Sequence, residues 1–165
     1  MAAGGLVVPG TIGVRIAAEV RRYGALDVET GGFMLAPASE PMSVSIVALA
    51  GERGVTRRWG LFRVSGRAID RLFAWADDQG MRIPAQFHSH KLGAFLSPTD
   101  GRDGFNVKDF ISAVVPQYVD PPGDPTAWGW WVFDGEAWMT TAPPAVSAEG
   151  ARVVLFDEDG VRGDG

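Results

Sequence analysis

Both histidines of the chain, His88 and His90, lie one residue apart within the stretch QFHSHKLGAFLSPTD, residues 86–100. Residues 82–90 are predicted to form a β-strand, in which side chains two positions apart project from the same face. The two imidazoles are therefore expected to point together. The alternate positions are expected to point the other way, into a core: Ile83, Ala85 and Phe87. The chain must thus contain a strand with an apolar face and an imidazole face.

A hydroxyl and a carboxylate follow the histidines at short distance. Ser97 and Asp100 lie in a Ser-Pro-Thr-Asp run, and the loop after the strand is expected to bring Asp100 to the imidazoles. Two imidazoles and one carboxylate make a three-ligand site with an open fourth position, which is the pattern of catalytic zinc. Paired histidines also occur by chance, and Ser-x-x-Asp is an ordinary helix start. The features therefore indicate a metal site only in combination.

The lack of cysteine narrows the possible chemistry. It removes thiol nucleophiles, disulfides and thiolate metal sites, so any metal must bind through nitrogen and oxygen. The sequence also has no Gly-x-Ser-x-Gly elbow of the kind that supplies a serine nucleophile. The net charge of −5 argues against binding of nucleic acid over the whole surface.

A single domain is expected from the length of 165 residues. We predict that residues 1–156 form this domain and that residues 157–165, which are acidic and Gly-rich, are a disordered tail. No apolar run has the length of a membrane span, and the first residues lack a basic signal-peptide region. A cytoplasmic protein without a membrane or nucleic-acid partner is expected.

Two main helices are predicted. Residues 11–23 and 66–79 have helical periodicity, with Thr11 and Ser65 as the respective N-caps. The charged residues of the second helix are assigned to a solvated face without chemistry: Arg67, Arg71, Asp77 and Asp78. Strands are predicted at residues 33–35, 43–50, 58–65, 82–90, 110–115, 128–140 (a hairpin) and 152–156. This order predicts an α/β (α+β) domain in which helices flank a mixed central β-sheet.

Glu29 lies just before a glycine pair, Gly31 and Gly32, and a short apolar strand. A glycine pair before a strand permits close approach of another backbone or of a ligand. Taken alone, Glu29 is more often a solvated loop carboxylate, and its interest depends on whether the fold brings it beside the histidines. The Pro-rich residues 116–127 are either a wall of a substrate site or an exposed connection.

Joined together, these stretches resemble the JAB/MPN (JAMM) family of zinc metallopeptidases, and in particular its small prokaryotic, deubiquitinase-like members. The family pattern is a glutamate, then His-x-His, then a downstream Ser-x-x-Asp. Here it is carried by residues 29–32 and 88–100. The loop after the second histidine is one residue shorter than is common in the family, and Lys91 replaces the usual proline. Asp103 is an alternative to Asp100, although only Asp100 keeps the Ser-x-x-Asp spacing.

The resemblance implies a JAB/MPN (cytidine-deaminase-like) architecture and a role for each motif residue. The implied ligands of one zinc ion per chain are His88, His90 and Asp100. Glu29 would act as general base and then general acid, and Ser97 would donate a hydrogen bond to the oxyanion. The implied reaction is hydrolysis of the amide bond after the C-terminal glycine of a ubiquitin-like protein. The candidate substrate-binding residues are Gly31, Gly32 and Lys91.

Other functions stay open at this point. The same site is compatible with release of an amino acid from a small sulfur-carrier protein, or with trimming of a short peptide. A scaffold of the MPN type that binds partners without chemistry is a third hypothesis, although a scaffold has no use for all the motif residues together. A metal-dependent nuclease is disfavoured by the acidic balance. The sequence does not predict an oligomeric state.

Overall fold

The structure, a computed structural model, describes residues 5–163, except for the side chains of Arg102 and Asp103. Within this range, twelve β-strands and three α-helices follow one another. The strands are β1 (Val7–Pro9), β2 (Gly31–Pro37), β3 (Ile46–Ala50), β4 (Val55–Arg58), β5 (Leu61–Val64), β6 (Met81–Ser89), β7 (Ile111–Val115), β8 (Gly129–Phe133), β9 (Trp138–Thr140), β10 (Ala145–Ser147), β11 (Arg152–Asp157) and β12 (Gly160–Gly163). The helices are α1 (Gly10–Gly24), α2 (Gly66–Asp78) and α3 (Pro98–Asp103). The predicted α/β class is confirmed.

Eight of the strands form one mixed sheet, in the order β12-β11-β3-β2-β6-β7-β8-β9. The histidine strand, β6, lies inside this sheet, antiparallel to β2 and parallel to β7. Gly31 of β2 lies opposite His88, so the start of β2 meets the end of β6 that carries the histidines. Two shorter pairs lie outside the sheet, the parallel pair β1–β10 and the antiparallel hairpin β4–β5.

Both faces of the sheet are covered. One face packs against α1, in a core that includes Ile16, Val20, Met34, Phe87 and Trp130. The other face packs against α2 and the β4–β5 hairpin, in a core that includes Phe33, Leu35, Phe62, Leu72 and Phe156. Because the central strands are buried on both sides, β3 (IVALA) and β7 (ISAVV) are almost continuously apolar.

The two main helices begin in different ways. Ser65 is the N-cap of α2, as predicted, and its Oγ accepts a hydrogen bond from the N–H of Ala68. The prediction of Thr11 as the N-cap of α1 is wrong, because α1 begins directly after Pro9 and contains Thr11. Pro9 has a φ of −59°, which leads the chain from β1 straight into the helix. Among the described residues, no helix has the length and apolarity needed to cross a membrane.

The predicted strand over residues 58–65 is a hairpin. Its two strands are joined at Trp59 and Gly60, and Gly60 has a φ of +71°, a left-handed conformation that favours glycine. The prediction was wrong because Trp59, Leu61 and Phe62 read as one apolar run.

Ile83 lies on the opposite face from the one predicted. Ala85 points away from the histidines into the α1 core, as expected, but Ile83 packs in the α2 core on the histidine face. Met34 of β2 pairs with Ala85, whereas Ala36 pairs with Arg82, so β6 contains one extra residue between these two pairs. Such a β-bulge reverses the facing of the residues before it.

The stretch predicted to be a disordered tail, residues 157–165, instead turns back as β12 and pairs antiparallel with β11 as far as residue 163. Asp157 is 1% exposed and accepts two hydrogen bonds from the guanidinium of Arg162. Gly160, with a φ of +115°, allows the tight turn between them. The prediction was wrong because composition records acids and glycines but not their pairing. The last two residues lie outside the described range.

Candidate metal centre

The two histidines and Asp100 meet at the end of β6. The Nε2 atoms of His88 and His90 are 3.1 Å apart, and Oδ2 of Asp100 is 3.1 Å from each of them. Both histidines are buried, and Asp100 is partly buried. The structure thus brings together the three residues that the sequence predicts as ligands. The side chain of Asp103, the alternative to Asp100, lies outside the described part of the chain.

The size of this triangle of atoms fits a metal ion. Around a tetrahedral zinc ion with bonds of about 2.0–2.1 Å, neighbouring ligand atoms are about 3.3–3.4 Å apart. Around an octahedral ion with bonds of about 2.1 Å, they are about 3.0 Å apart. The observed 3.1 Å lies between these values, and two imidazoles with one carboxylate suit iron(II) as well as zinc. The donor set and its spacing therefore fit a divalent metal of either kind.

His90 is oriented by contacts on two sides of its ring. Its Nδ1 lies 3.3 Å from the carbonyl oxygen of Gly93, to which a protonated Nδ1 donates. This contact leaves Nε2 as the ring atom that faces His88 and Asp100, as an outer partner does for most ligand histidines. Phe95 packs edge-on against the ring, with the two centroids 4.6 Å apart. The loop after β6 therefore both covers His90 and orients its ring.

Glu29 approaches the histidines from the start of β2. One carboxylate oxygen of Glu29 and one ring nitrogen each of His88 and His90 lie within 4.8 Å of one another, so these three residues can hold a metal ion. Glu29 is 5% exposed. Burial raises the pKa of Glu29 to about 7, against the effect of the nearby His90 and together with that of Asp100. A carboxyl group with such a pKa can both accept and return a proton at neutral pH.

Two ligand sets are therefore possible, and both contain the two histidines. Asp100 lies 3.1 Å from both Nε2 atoms, the spacing of two ligand atoms around one ion, which favours Asp100 as the third ligand. Glu29, within 4.8 Å of the ring nitrogens, then stays available beside the ligands for proton transfer.

Asp100 is positioned by the first turn of α3. Ser97 is the N-cap: its Oγ accepts a hydrogen bond from the N–H of Asp100 (3.0 Å), and its own N–H donates to Oδ2 of Asp100 (2.9 Å). Burial by itself would raise the pKa of Asp100, but hydrogen bonds from His88 and His90 and from the Ser97 N–H hold it well below its usual range. The Ser-x-x-Asp run is therefore a capping box and part of the site at once.

Ser89, between the two histidines, is a site residue that the sequence analysis missed. Its Oγ accepts a hydrogen bond from the N–H of Thr30 (2.9 Å), and its own N–H and Oγ both lie within hydrogen-bond distance of the Thr30 carbonyl (2.9 and 3.3 Å). The N–H of Glu29 donates to the carbonyl of Arg58 at the end of β4 (3.3 Å). The sequence did contain a signal for Ser89. Alternation along the strand turns this residue away from the histidines into the interior, where its hydroxyl needs a hydrogen-bond partner.

Arg57 is the second residue missed. Its side chain is 7% exposed and lies over the ring of Tyr23, 3.9 Å from the centroid. Its Nε donates to Oγ1 of Thr30 (3.0 Å), and its terminal nitrogens donate to the carbonyls of Ala50 and Gly51 at the end of β3. The guanidinium thus joins β3 to the segment that precedes β2. Nothing in the sequence distinguished it from the arginine that follows.

Gly31 and Gly32, which the sequence suggested as substrate-binding residues, are buried in β2. A Cβ on Gly31 would meet the carbonyl oxygen of Phe87 and the ring of Phe62, and a Cβ on Gly32 would meet the carbonyl oxygen of Ala48. The expected close approach therefore exists, but the groups that approach are neighbouring strands and the hairpin. The packing of the protein explains the glycine pair without a substrate.

Lys91 forms an ion pair with Asp27 (3.0 Å) and is 47% exposed. Asp27 also accepts a hydrogen bond from the hydroxyl of Tyr118 (2.6 Å). Tyr118 belongs to the Pro-rich residues 116–127, and its N–H donates to the carbonyl of His90 (3.1 Å). Through Tyr118, residues 116–127 are therefore hydrogen-bonded to the chain at His90, where the loop after β6 begins. A direct role of Lys91 in binding a substrate stays a prediction.

A cavity of about 100 Å³ lies beside His88 and Asp100. The β4–β5 hairpin contributes Leu61 and Arg63 to its wall, and the sheet contributes Gln86. The imidazole of His88 is therefore reached through a narrow recess between the hairpin and the sheet.

Comparisons with known proteins support the fold alone. No protein-family model matches the sequence, and no curated protein matches it. The chain is similar to the solution structure of protein DSY2949 from Desulfitobacterium hafniense, with a TM-score of 0.59 and 15% identity over 88% of this chain and 94% of that one. It is also similar to the solution structure of a protein from Salinibacter ruber, with a TM-score of 0.53 and 23% identity over 88% and 94% of the two chains.

Proposed function

We propose that this protein is a zinc-dependent peptidase or isopeptidase of the JAB/MPN type, which cleaves the amide bond after the C-terminal glycine of a ubiquitin-like protein. The main support is the triangle of His88, His90 and Asp100, with 3.1 Å edges. The buried carboxyl group of Glu29 lies beside it. These residues, with Ser97, follow one another in the order of the family pattern.

His88, His90 and Asp100 would hold the zinc ion. When bound through three protein ligands, zinc lowers the pKa of a water molecule in its open position to about 7 and polarises a carbonyl group. Asp100 contributes the negative charge of the ligand set, and the contact between His90 and Gly93 keeps Nε2 of the imidazole directed inward. The nitrogen and oxygen donors agree with the lack of cysteine.

Glu29 would move the proton of the reaction. It accepts a proton from the attacking water, whose oxygen joins the acyl carbon, and delivers that proton to the leaving amine nitrogen as the amide bond breaks. The Oγ of Ser97 already accepts the N–H of Asp100, so its own hydrogen is available for donation. Donation to the substrate oxygen as negative charge develops on it would contribute about 3 kcal/mol.

The proposed substrate is a protein that ends in an extended glycine tail. The recess beside His88 is narrow, about 100 Å³, and one of its walls is β5, a strand of a two-stranded hairpin. An extended tail can form main-chain hydrogen bonds with such a strand, which supplies affinity without large side chains. A small sulfur-carrier protein with the same kind of tail is the alternative substrate.

The proposal is tested with linear fusions of ubiquitin-like and sulfur-carrier proteins to a reporter. After incubation, mass spectrometry is expected to find cleavage directly after the terminal glycine, and a chelator or the Glu29→Gln change is expected to prevent it. If zinc-loaded protein leaves every fusion intact, the hydrolase proposal is wrong. Binding without cleavage, unaffected by Glu29→Gln, would support the scaffold hypothesis instead.

A further inference from the structure

Arginine is concentrated in one stretch of the chain. Six of the fifteen Lys and Arg residues lie within residues 53–71, which contain a single acidic residue, Asp70. Because the whole chain carries a net charge of −5, the remainder of the molecule is strongly acidic. The stretch runs from the turn before β4, through the β4–β5 hairpin, into the first half of α2. Positive charge is therefore concentrated on the β4–β5 hairpin and on α2.

The hairpin turns two of these arginines outward. Arg57 points inward to Thr30, whereas Arg58 and Arg63 are exposed. Between the strands, at the turn, Trp59 is 69% exposed. Helix α2 adds two more exposed arginines, and the turn before β4 adds a third. We define the arginine surface by its exposed residues: Arg53, Arg58, Trp59, Arg63, Arg67 and Arg71.

The arginines of α2 lie where they do not stabilise the helix. Arg67 and Arg71 are in its first half, near the positive end of the helix dipole, and the first turn has no acidic residue. The last turn has no basic residue and ends with Asp77 and Asp78. This distribution is the reverse of the one that stabilises a helix. It strengthens the positive potential at the start of α2, which indicates a role in binding rather than in folding.

The arginine surface is continuous with the candidate metal centre. Arg63 lines the recess beside His88 and Asp100. Arg67 and Arg71 line a second recess of about 200 Å³ together with Arg53, Glu158 and Asp159, and Asp159 pairs with Arg53 at 2.7 Å. These two acids offset part of the positive charge at this recess.

We propose that the arginine surface binds an acidic face of a protein partner. That this partner is the substrate, with its tail in the recess beside His88, rests on the proposed function; the binding surface itself does not. Guanidinium groups form paired hydrogen bonds with carboxylates, and an exposed Trp among arginines is the composition of an interface hot spot. The acidic remainder of the molecule repels an acidic partner and so orients it towards this surface.

The test measures binding separately from hydrolysis. Fluorescence anisotropy of a short labelled polyglutamate peptide is followed with the wild-type chain and with His88→Ala, which lacks one predicted metal ligand. Both are expected to bind equally, and more weakly as salt is added. The double change Arg67→Glu/Arg71→Glu is expected to weaken binding at least about tenfold. Arg67→Lys/Arg71→Lys, which keeps the charge, is expected to retain most of it.

The matched control is Arg82→Glu/Arg152→Glu, which makes the same change of charge at two exposed arginines outside the arginine surface, on β6 and β11. It is expected to leave binding within about a factor of two. An equal loss in this control, or no binding of the peptide by wild type at low salt, overturns the proposal. Tighter binding of an oligothymidylate of equal charge would assign the surface to nucleic acid and overturns it as well.

Two further measurements keep the outcome interpretable. Thermal unfolding shows whether each variant is folded, and Arg58→Glu/Arg63→Glu on the hairpin replaces the α2 variant if that one does not fold. Peptide binding that persists while no fusion is cleaved would refute the proposed hydrolase but not the arginine surface. Cleavage of fusions without peptide binding would refute the arginine surface but not the proposed hydrolase.

Discussion

The segment before β2 and the first turn of α3 each bring one carboxylate to the histidines, but they hold it by different means. Main-chain contacts position Glu29, whose carboxyl group is buried, and burial raises its pKa to about 7. A capping box and both imidazoles hold Asp100, and they keep its pKa well below the usual range. Environments that separate the pKa values of two neighbouring carboxyl groups suit them to different roles. We therefore expect Asp100 to bind the ion and Glu29 to carry the proton.

The sharpest test of this contrast removes the proton carrier and keeps its shape. Glu29→Gln is expected to lower the rate of fusion cleavage by about 10²–10⁴-fold, because general acid–base catalysis is lost. The amide still fits the same space, so bound metal is expected to stay at about one zinc ion per chain. Initial rates and elemental analysis of the same sample measure the two quantities. Retained turnover would show that Glu29 is not the base.

Asp100→Asn, in contrast, is expected to weaken the binding of zinc itself. The side chain keeps an oxygen that can accept the Ser97 N–H but loses its charge, so zinc affinity should fall more than about a hundredfold, beyond the loss caused by an outer partner. Competition with a chromophoric chelator measures this affinity, and Glu29→Gln serves as the matched control. Metal lost from Glu29→Gln and kept by Asp100→Asn would identify Glu29, with the two histidines, as the ligand set.

The sequence predicted those parts of the site that depend on local periodicity. Alternation along a strand placed His88 and His90 on one face, and the helix-start signal placed Ser97 and Asp100 on one turn. The glycine pair of β2 indicated a close approach, and the approach is real, although Phe62 and backbone oxygens make it. For the histidine pair and for the Ser-x-x-Asp turn, the relevant atoms lie within a few residues of one another, whereas the sequence did not show which groups approach the glycines.

The remaining features depend on which strands become neighbours. Ser89 matters because β6 pairs with β2 and so meets Thr30. Arg57 matters because the hairpin folds over the end of β3. Periodicity contains no information on these pairings, and the same limit applies to the C-terminal strand, whose Asp157 meets Arg162 only after a turn.

Asp157 is a buried carboxylate away from the histidines and therefore a reference for the other two. Hydrogen bonds from Arg162, and from the N–H groups of Glu52 and Asp159, hold its pKa below the usual value in spite of burial. Because the folded pKa is the lower one, this stabilisation is complete above the unfolded value of about 3.9 and is lost as the pH falls towards the folded value.

We expect Asp157→Asn to lower the free energy of unfolding by about 2 kcal/mol at pH 7 and to make the stability less dependent on pH in acid. Urea unfolding at neutral and acidic pH measures both effects. Zinc content is expected to be unchanged, which distinguishes a structural carboxylate from Asp100. An Asp157→Asn variant that lost stability equally at every pH would contradict the assigned pKa shift.

The smallest expected effect concerns Ser89, which holds the Glu29 segment but does not contact Asp100. Ser89→Ala leaves the buried N–H of Thr30 without its acceptor, so the free energy of unfolding is expected to fall by about 1–2 kcal/mol. Cleavage is expected to slow about tenfold, because a displaced base transfers protons less well, while bound zinc stays constant. Ser65→Ala, which removes the N-cap of α2, costs about 1 kcal/mol and is the control for lost stability alone. If both variants slowed cleavage equally, the tie between Ser89 and Thr30 would contribute only to stability, and the position of Glu29 would depend on Arg57 and the hairpin instead.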